Sequence, residues 1–308
     1  MLRRIFFASI ALFLAACMYG ISFAERRILK DDNVTVSFDD PLQNAASEIL
    51  RLYPGTRSAL TNDLGWRTEF RPHVVLIKDS TSFKRAANSD LVIAYAVPQK
   101  NLIVIDYSKM NVHPFTLGAT LKHELCHLEL HHHIASNNLP RWFDEGICQW
   151  VTGGLAEIMT AGNRAVLREA ALTHRLISLE GLAEGFPGDG RGLLLAYEES
   201  KSIVEYIIKE FGVSGVQGIL EYMSKGADLE TAFHNNLSLS PYELEKRWRS
   251  SLEEKTFWIS YIGDNIYEIL FLSAALMTVY GFLILLKRKK EYKDEDGGED
   301  EEEEEGKI

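Results

Sequence analysis

The sequence predicts an α+β domain built as two lobes, followed by one helix that crosses a membrane. Between residues 33 and 106, short runs of Val, Ile and Leu alternate with turn residues, which is typical of strands. After Pro140, apolar residues recur at helical spacing, which indicates a mainly helical second lobe. Near the end, 21 residues from Ile266 to Leu286 carry only one charge, Glu268. About 20 such residues cross a bilayer as a helix.

Each lobe can be divided further from its pattern. The first lobe is expected to hold strands near residues 33–38, 74–77, 91–95 and 102–105, and a helix over 41–60. The second lobe is expected to hold helices over 193–211, 216–223 and 241–252. The hairpin of residues 91–106 is of special interest, because an edge strand beside an active-site helix can hold an extended peptide by main-chain pairing. An ordinary core hairpin is the alternative.

The motif His123-Glu124-Leu125-Cys126-His127 carries the strongest chemical signal. Positions i and i+4 of an α-helix share a face, so both imidazoles can reach one metal ion while Glu124 lies to one side. Thr116 is a candidate N-cap, and Leu117, Leu121 and Leu125 follow at helical spacing. The motif therefore lies inside a predicted helix and suggests a zinc centre with Glu124 as a base.

A catalytic zinc ion usually has three protein ligands and an open fourth position, so a third ligand is needed. One candidate is Glu145, which follows Pro140 at the start of a second predicted helix. The other is His133, six residues after His127, but that array needs a sharp break where this chain has Leu130. His133 is the weaker candidate. The run His131 to His133 is expected to be a solvated helix end, where cations suit the helix dipole.

Two stretches, HELCH and the later LPRWFDEG, resemble the peptidase MA clan of gluzincins, and within it the peptidase MA-like domains of exported and membrane-attached proteins. The glutamate of the second stretch lies 18 residues after the second histidine, and a looser similarity runs from about residue 33 to 253. The resemblance implies a zincin-like two-lobed metallopeptidase fold. It also implies that His123, His127 and Glu145 bind Zn²⁺ and that Glu124 is the general base.

The resemblance extends loosely to residues 176–200, where Tyr197 is the candidate for a phenol that stabilises the oxyanion. Tyr206 and Tyr222 are rivals. The implied activity is hydrolysis of peptide bonds in a peptide or protein substrate by a zinc-activated water. Two alternatives stay open: a non-catalytic scaffolding module in an envelope complex, and a zinc hydrolase acting on a non-peptide amide.

The N-terminal residues 1–24 are expected to be an export signal, since Arg3 and Arg4 precede an apolar stretch from Ile5 to Ala16. Cleavage after Ala24 is one alternative. Another is a lipoprotein signal with Cys17 as the lipidated residue, and an uncleaved anchor is a third. All three place the peptidase-like domain, expected over residues 25–255, outside the cytoplasm.

The C-terminal residues complete the predicted topology. Four cations, 287–290, follow the membrane helix of residues 266–286, which by the positive-inside rule puts the C-terminus in the cytoplasm. Residues 291–308 carry a net charge of −9, and the total is −11. We therefore expect 287–308 to form a basic juxtamembrane cluster and a disordered acidic tail. No basic stripe exists elsewhere, which argues against binding of nucleic acid.

Only three cysteines are present, and Cys126 and Cys148 lie one in each of the two helices expected to bind metal. In an exported domain they could form an intramolecular disulfide that ties the histidine helix to the helix of Glu145. Two buried free thiols are the alternative. A catalytic cysteine is not expected, because Cys126 lies inside the zinc motif.

Overall fold

The computed structural model describes residues 26–67, 69–88, 90–110, 112, 115–154 and 164–304. The expected export signal and Cys17 lie outside these residues. The chain forms two compact units, one ending at Ser250 and one beginning at Ser251, and each is described by itself.

A five-stranded mixed sheet forms the first lobe. Its strands are β1 (Arg27–Lys30), β2 (Thr35–Phe38), β3 (His73–Ile77), β4 (Ala94–Val97) and β5 (Leu102–Asp106). Their order across the sheet is β1-β2-β3-β5-β4. Strands β2, β3 and β5 are parallel, whereas β1 and β4 run antiparallel to their neighbours. Strand β4 is thus an edge strand, as the proposed role of the 91–106 hairpin requires.

Helices make up the rest of the first unit. They are α1 (Gln43–Leu64), α2 (Ser80–Ala87), α3 (Leu117–His133), α4 (Arg141–Val151), α5 (Arg164–Leu172), α6 (Leu179–Glu184), α7 (Gly190–Ser224), α8 (Leu229–Leu237) and the first part of α9 (Pro241–Asp264). Helix α3 begins where the sequence predicts, because the Thr116 side chain accepts a hydrogen bond from the Ala119 N–H at 3.3 Å. Helix α4 follows Pro140 and packs against α3 and α7. The predicted α+β fold with a mixed-sheet lobe and a mainly helical lobe is confirmed.

The element bounds differ from the prediction where the local pattern is weak. Strand β1 was not predicted, because its four residues are mostly exposed and show no run of apolar side chains. Helix α2 was not predicted either, since Phe83 is its only large apolar residue and anchors it against Val75 and Val104 of the sheet. The span α7 is two helical segments that meet at a kink at Gly212, where φ is +73°, in agreement with the two helices predicted over 193–211 and 216–223.

A buried polar network fastens the segment before α6 to the helical lobe. The carboxylate of Glu199 on α7 is fully buried and accepts the Ile177 N–H at 3.0 and 3.2 Å. Arg249 donates to the carbonyls of Leu176 and Ile177 and pairs with Glu245 at 2.8 Å. Burial raises the pKa of Glu199 to about 8, although the Ile177 N–H and Arg249 act in the opposite direction.

This raised pKa predicts that stability depends on pH. The folded state holds the Glu199 proton more tightly than the unfolded state, so protonated Glu199 adds to the free energy of unfolding. This contribution is fully present below the ordinary carboxyl pKa of about 4.5 and is lost as pH rises to about 8. The slope is at most about 1.4 kcal/mol per pH unit. We expect Glu199→Gln to flatten this decline in urea unfolding measured from pH 5 to 8. Glu205→Gln, which alters an exposed carboxylate of the same helix, should keep the decline.

The second unit contains helix α10 (Ile266–Glu304). Its stretch Ile266–Arg288 is long and apolar enough to cross a membrane, by length and composition. The acidic tail was expected to be disordered, whereas the helix continues through this stretch to Glu304. Glu and Lys have high helix propensity, so a charged composition does not by itself oppose a helix.

Candidate metal centre

Helices α3 and α4 bring the three predicted ligands to one buried point. The Nε2 atoms of His123 and His127 lie 3.2 Å apart. Glu145 Oε2 lies 3.8 Å from the first and 3.5 Å from the second. In a tetrahedral zinc site with ligands at about 2.0–2.1 Å, neighbouring ligand atoms are about 3.4 Å apart. The three side chains therefore fit a tetrahedral metal ion without rearrangement.

The other histidines of α3 lie outside this group. His133 stacks on Trp66, with ring centroids 4.4 Å apart, and its Nε2 lies 3.8 Å from Glu129. His131 differs from the expectation of a solvated helix end. Its side chain is only 17% exposed, and its Nε2 donates to Asp144 Oδ2 at 2.9 Å. It is one turn beyond His127 on the same face, so the packing of α4 covers it.

Asp144 orients the candidate ligand His127. Because Nδ1 of His127 donates to Asp144 Oδ1 at 2.8 Å, the lone pair of Nε2 faces the point shared with His123 and Glu145. Burial lowers the pKa of His127, but Asp144 and Glu145 outweigh burial and hold this pKa well above its usual value. Burial raises the pKa of Asp144, but His127 and His131 lower it far more, so this carboxyl is ionised. An ionised Asp144 thus lies against His127, beside the point shared by the three side chains.

A cleft of about 280 Å³ is lined by two of these side chains, His127 and Glu145, together with Asp144. Glu124 lines it from α3, and its carboxyl group is buried. Tyr95 and Ala96 of the edge strand β4 line it as well. The cleft thus joins a buried carboxylate, the candidate metal ligands and an exposed sheet edge.

Tyr197 reaches the centre from α7. Its hydroxyl donates to Glu145 Oε1 at 3.2 Å, and its ring is almost fully buried. The rivals lie elsewhere, since neither Tyr206 nor Tyr222 is among the described residues that line the cleft. Gly146 makes this approach possible, because a Cβ there would overlap the backbone of Ser200 and lie 2.8 Å from a methyl group of Val204. Helices α4 and α7 are therefore in backbone contact one residue after Glu145.

A disulfide joins Cys126 on α3 to Cys148 on α4, so of the two alternatives left open by the sequence the structure has the bridge. Cys126 immediately precedes the candidate ligand His127, and Cys148 Sγ lies 3.6 Å from His127 Nδ1. The bridge therefore connects the two helices that carry the three converging side chains, at the level of the site.

Removing the bridge should lower stability. The closed loop spans 22 residues, and cross-links of this kind contribute about 2–4 kcal/mol. We expect the Cys126→Ala/Cys148→Ala variant to lose about this much free energy of unfolding. Thiol titration of denatured, unreduced Cys17→Ser protein should find no free thiol, and two free thiols per chain would contradict the bridge.

Three residues of the site were not predicted: Asp144, His131 and Arg141. Arg141 lines the cleft, and its Cζ lies 4.5 Å from the centre of the Phe186 ring. Sequence spacing contained a signal for two of them, because His131 is four residues after His127 and Arg141 four before Glu145. For Asp144 the signal was its position directly before the candidate ligand.

Similar folds occur among solved structures. The M1 zinc metallopeptidase from Deinococcus radiodurans is 11% identical with a TM-score of 0.44, covering 73% of this chain and 51% of that one. A variant of an M1 zinc metallopeptidase from the same organism, bound to a Tyr-Ser-Ala substrate, is 13% identical with a TM-score of 0.42 and the same coverage. The chain thus spans about half the length of these structures. A search of curated protein sequences finds no match.

The sequence profile of the Peptidase MA superfamily matches residues 78–254, which is more than half of the chain. The matched segment includes strands β4 and β5 and helices α3, α4 and α7, and therefore every residue of the cleft. The chain belongs to the Peptidase MA superfamily.

Proposed function

We propose that this chain is a zinc peptidase, anchored in a membrane by α10 with its first unit outside the cytoplasm. The observation that carries the proposal is the convergence of His123, His127 and Glu145 on one point with the spacing of a tetrahedral zinc site. Two imidazoles and a carboxylate are a ligand set of catalytic rather than structural zinc, because they leave a fourth position open. Membership of the superfamily supports the same assignment.

When bound, zinc would supply a Lewis acid and lower the pKa of a water molecule towards about 7. The remaining steps belong to the side chains. Glu124, which is buried and lines the cleft, would take a proton from the attacking water and return it to the leaving amine. Asp144 would keep His127 in the tautomer that presents Nε2.

Tyr197 is our candidate for the group that stabilises the oxyanion. Its hydroxyl is 3.2 Å from a carboxylate oxygen of Glu145, so it lies within a few ångströms of the atoms that would hold the metal. A phenol placed there can donate to negative charge that develops on the scissile carbonyl oxygen. Phe186 packs edge-on against the Tyr197 ring, with centroids 5.2 Å apart, and restricts its movement.

The edge strand β4 would hold the substrate. It pairs with β5 on one side only, and Tyr95 and Ala96 line the cleft. An extended peptide added to its outer edge would run along the cleft past Glu124 and the metal ligands. This arrangement favours a peptide over a small amide, because a small amide has no main chain to pair.

The proposed location rests on three features. The apolar stretch 266–288 is a candidate membrane span, and the cations that follow it favour the cytoplasmic side. The expected export signal at residues 1–24 would carry the first unit across the membrane. The disulfide fits an oxidising compartment outside the cytoplasm.

The proposal is tested with purified full-length protein by metal analysis, followed by a peptidase assay on a mixture of peptides. We expect one zinc ion per chain and cleavage that a chelator abolishes and added zinc restores. Zinc without cleavage of any peptide would favour the scaffolding module or the non-peptide hydrolase. A metal-free protein that cleaves no peptide would refute the zinc peptidase.

A further inference from the structure

Arg141 is the one lysine or arginine among the described residues that line the cleft. The acidic side chains there are Glu124, Asp144 and Glu145, and the lining also contains two histidines and two tyrosines. Arg141 stands at the rim, since its side chain is 48% exposed whereas that of Glu145 is 11% exposed. An otherwise acidic cleft thus carries a permanent positive charge at its entrance.

The guanidinium is held in place by its neighbours. Its Nε lies 4.0 Å from Glu145 Oε1, on the same face of α4 one turn earlier. Its Cζ lies 4.5 Å from the centre of the Phe186 ring, and Phe186 in turn meets the Tyr197 ring at 82°. A guanidinium that stacks by its face keeps N–H donors in its plane for a further partner. Arg141 therefore contacts both Glu145 and Phe186 while about half of its side chain faces solvent.

A planar fork of N–H donors matches a carboxylate, with which it forms two parallel charge-assisted hydrogen bonds. Glu124, Asp144 and Glu145 disfavour a carboxylate beside them, and Arg141 is the side chain of the described lining that favours one. We propose that Arg141 binds a carboxylate of the substrate within about two residues of the scissile bond and makes the enzyme prefer peptides that are negatively charged there. This specificity rests on the proposed peptidase function.

The carboxylate has two sources, an Asp or Glu side chain and the C-terminus of a short peptide. They are separated with quenched peptides built on a neutral sequence whose cleaved bond has been mapped. One series has Glu or Gln at each position within two residues of that bond, with an amidated C-terminus. The other has no acidic side chain and ends within two residues of the bond, as a free acid or as an amide.

We expect the zinc-loaded full-length protein to cleave the carboxylate peptide of at least one series with a kcat/KM about 10- to 100-fold above that of its amide partner. In Arg141→Gln this ratio should fall to about 1. In Arg141→Lys it should be intermediate, because lysine keeps the positive charge but lacks the planar set of N–H donors. Arg51→Gln, which removes an exposed arginine of α1, should keep the ratio of the unaltered protein.

Binding of the same peptides to Glu124→Gln, measured by fluorescence anisotropy, provides a second readout that needs no hydrolysis. If no peptide is cleaved, the proposed peptidase function is wrong. The carboxylate preference is then tested by these affinities and by their change in Arg141→Gln. A wild-type ratio near 1 in both readouts, or a preference that survives Arg141→Gln, would overturn the role of Arg141.

Discussion

Replacing Glu124 with Gln is expected to reduce peptide hydrolysis by about 10²- to 10⁴-fold, which is what loss of a general acid–base group costs. The amide has nearly the size of the carboxylate but cannot accept a proton from water. Glu124 is not one of the three side chains whose ligand atoms converge, so the variant should keep its zinc. Loss of turnover with full metal content is the signature of a base.

The measurement pairs zinc content with kcat on a cleaved peptide. Glu129→Gln is the matched control, because Glu129 is a second buried glutamate on α3 that does not line the cleft. We expect the control to retain hydrolysis. Glu124→Gln protein that still hydrolyses peptides at the unaltered rate would remove Glu124 from the mechanism.

Replacing Glu145 with Ala is expected to release the metal. Loss of a hydrogen-bond partner outside the ligand shell already costs about 10- to 100-fold in metal affinity, and loss of a ligand should cost more. After dialysis we expect Glu145→Ala to hold far less than one zinc ion per chain and to be inactive. Cleavage should return only where zinc is in large excess.

His133→Ala separates the two candidate third ligands. The His133 ring stacks on Trp66 at the far end of α3, and the residue is not among those that line the cleft. We therefore expect this variant to keep one zinc ion per chain. If His133→Ala lost its metal and Glu145→Ala retained it, the assignment of the third ligand would be reversed.

Much of the fold can be predicted from the local sequence pattern, and the elements that were not predicted lack such a pattern. Helix α3 could be predicted from its cap at Thr116 and its leucine spacing, because both signals lie within the helix itself. Strand β1 could not, because it is a short and mostly exposed edge strand without a run of apolar side chains. Its structure comes from pairing with β2, which follows it after four residues, rather than from an apolar pattern of its own.

The residues of the site also differ in how far the sequence predicts them. The two histidines could be paired from sequence because the helix alone sets their geometry. The contact of Asp144 with both His127 and His131 depends on how α4 docks on α3, which no spacing reveals. The disulfide was left open for the same reason, since only the packed helices bring the Cα atoms of the two cysteines to 5.5 Å.

The contact at Gly146 limits how this cleft can diversify. Two main chains meet there without an intervening side chain, so the distance between α4 and α7 next to Glu145 is set by backbone and cannot be tuned by exchanging one apolar residue for another. The side chains at the entrance of the cleft are not limited in this way, because Tyr95 and Arg141 can be replaced without moving α4 or α7. New substrate preferences should therefore be engineered, or arise in relatives, at the entrance of the cleft while its floor stays constant.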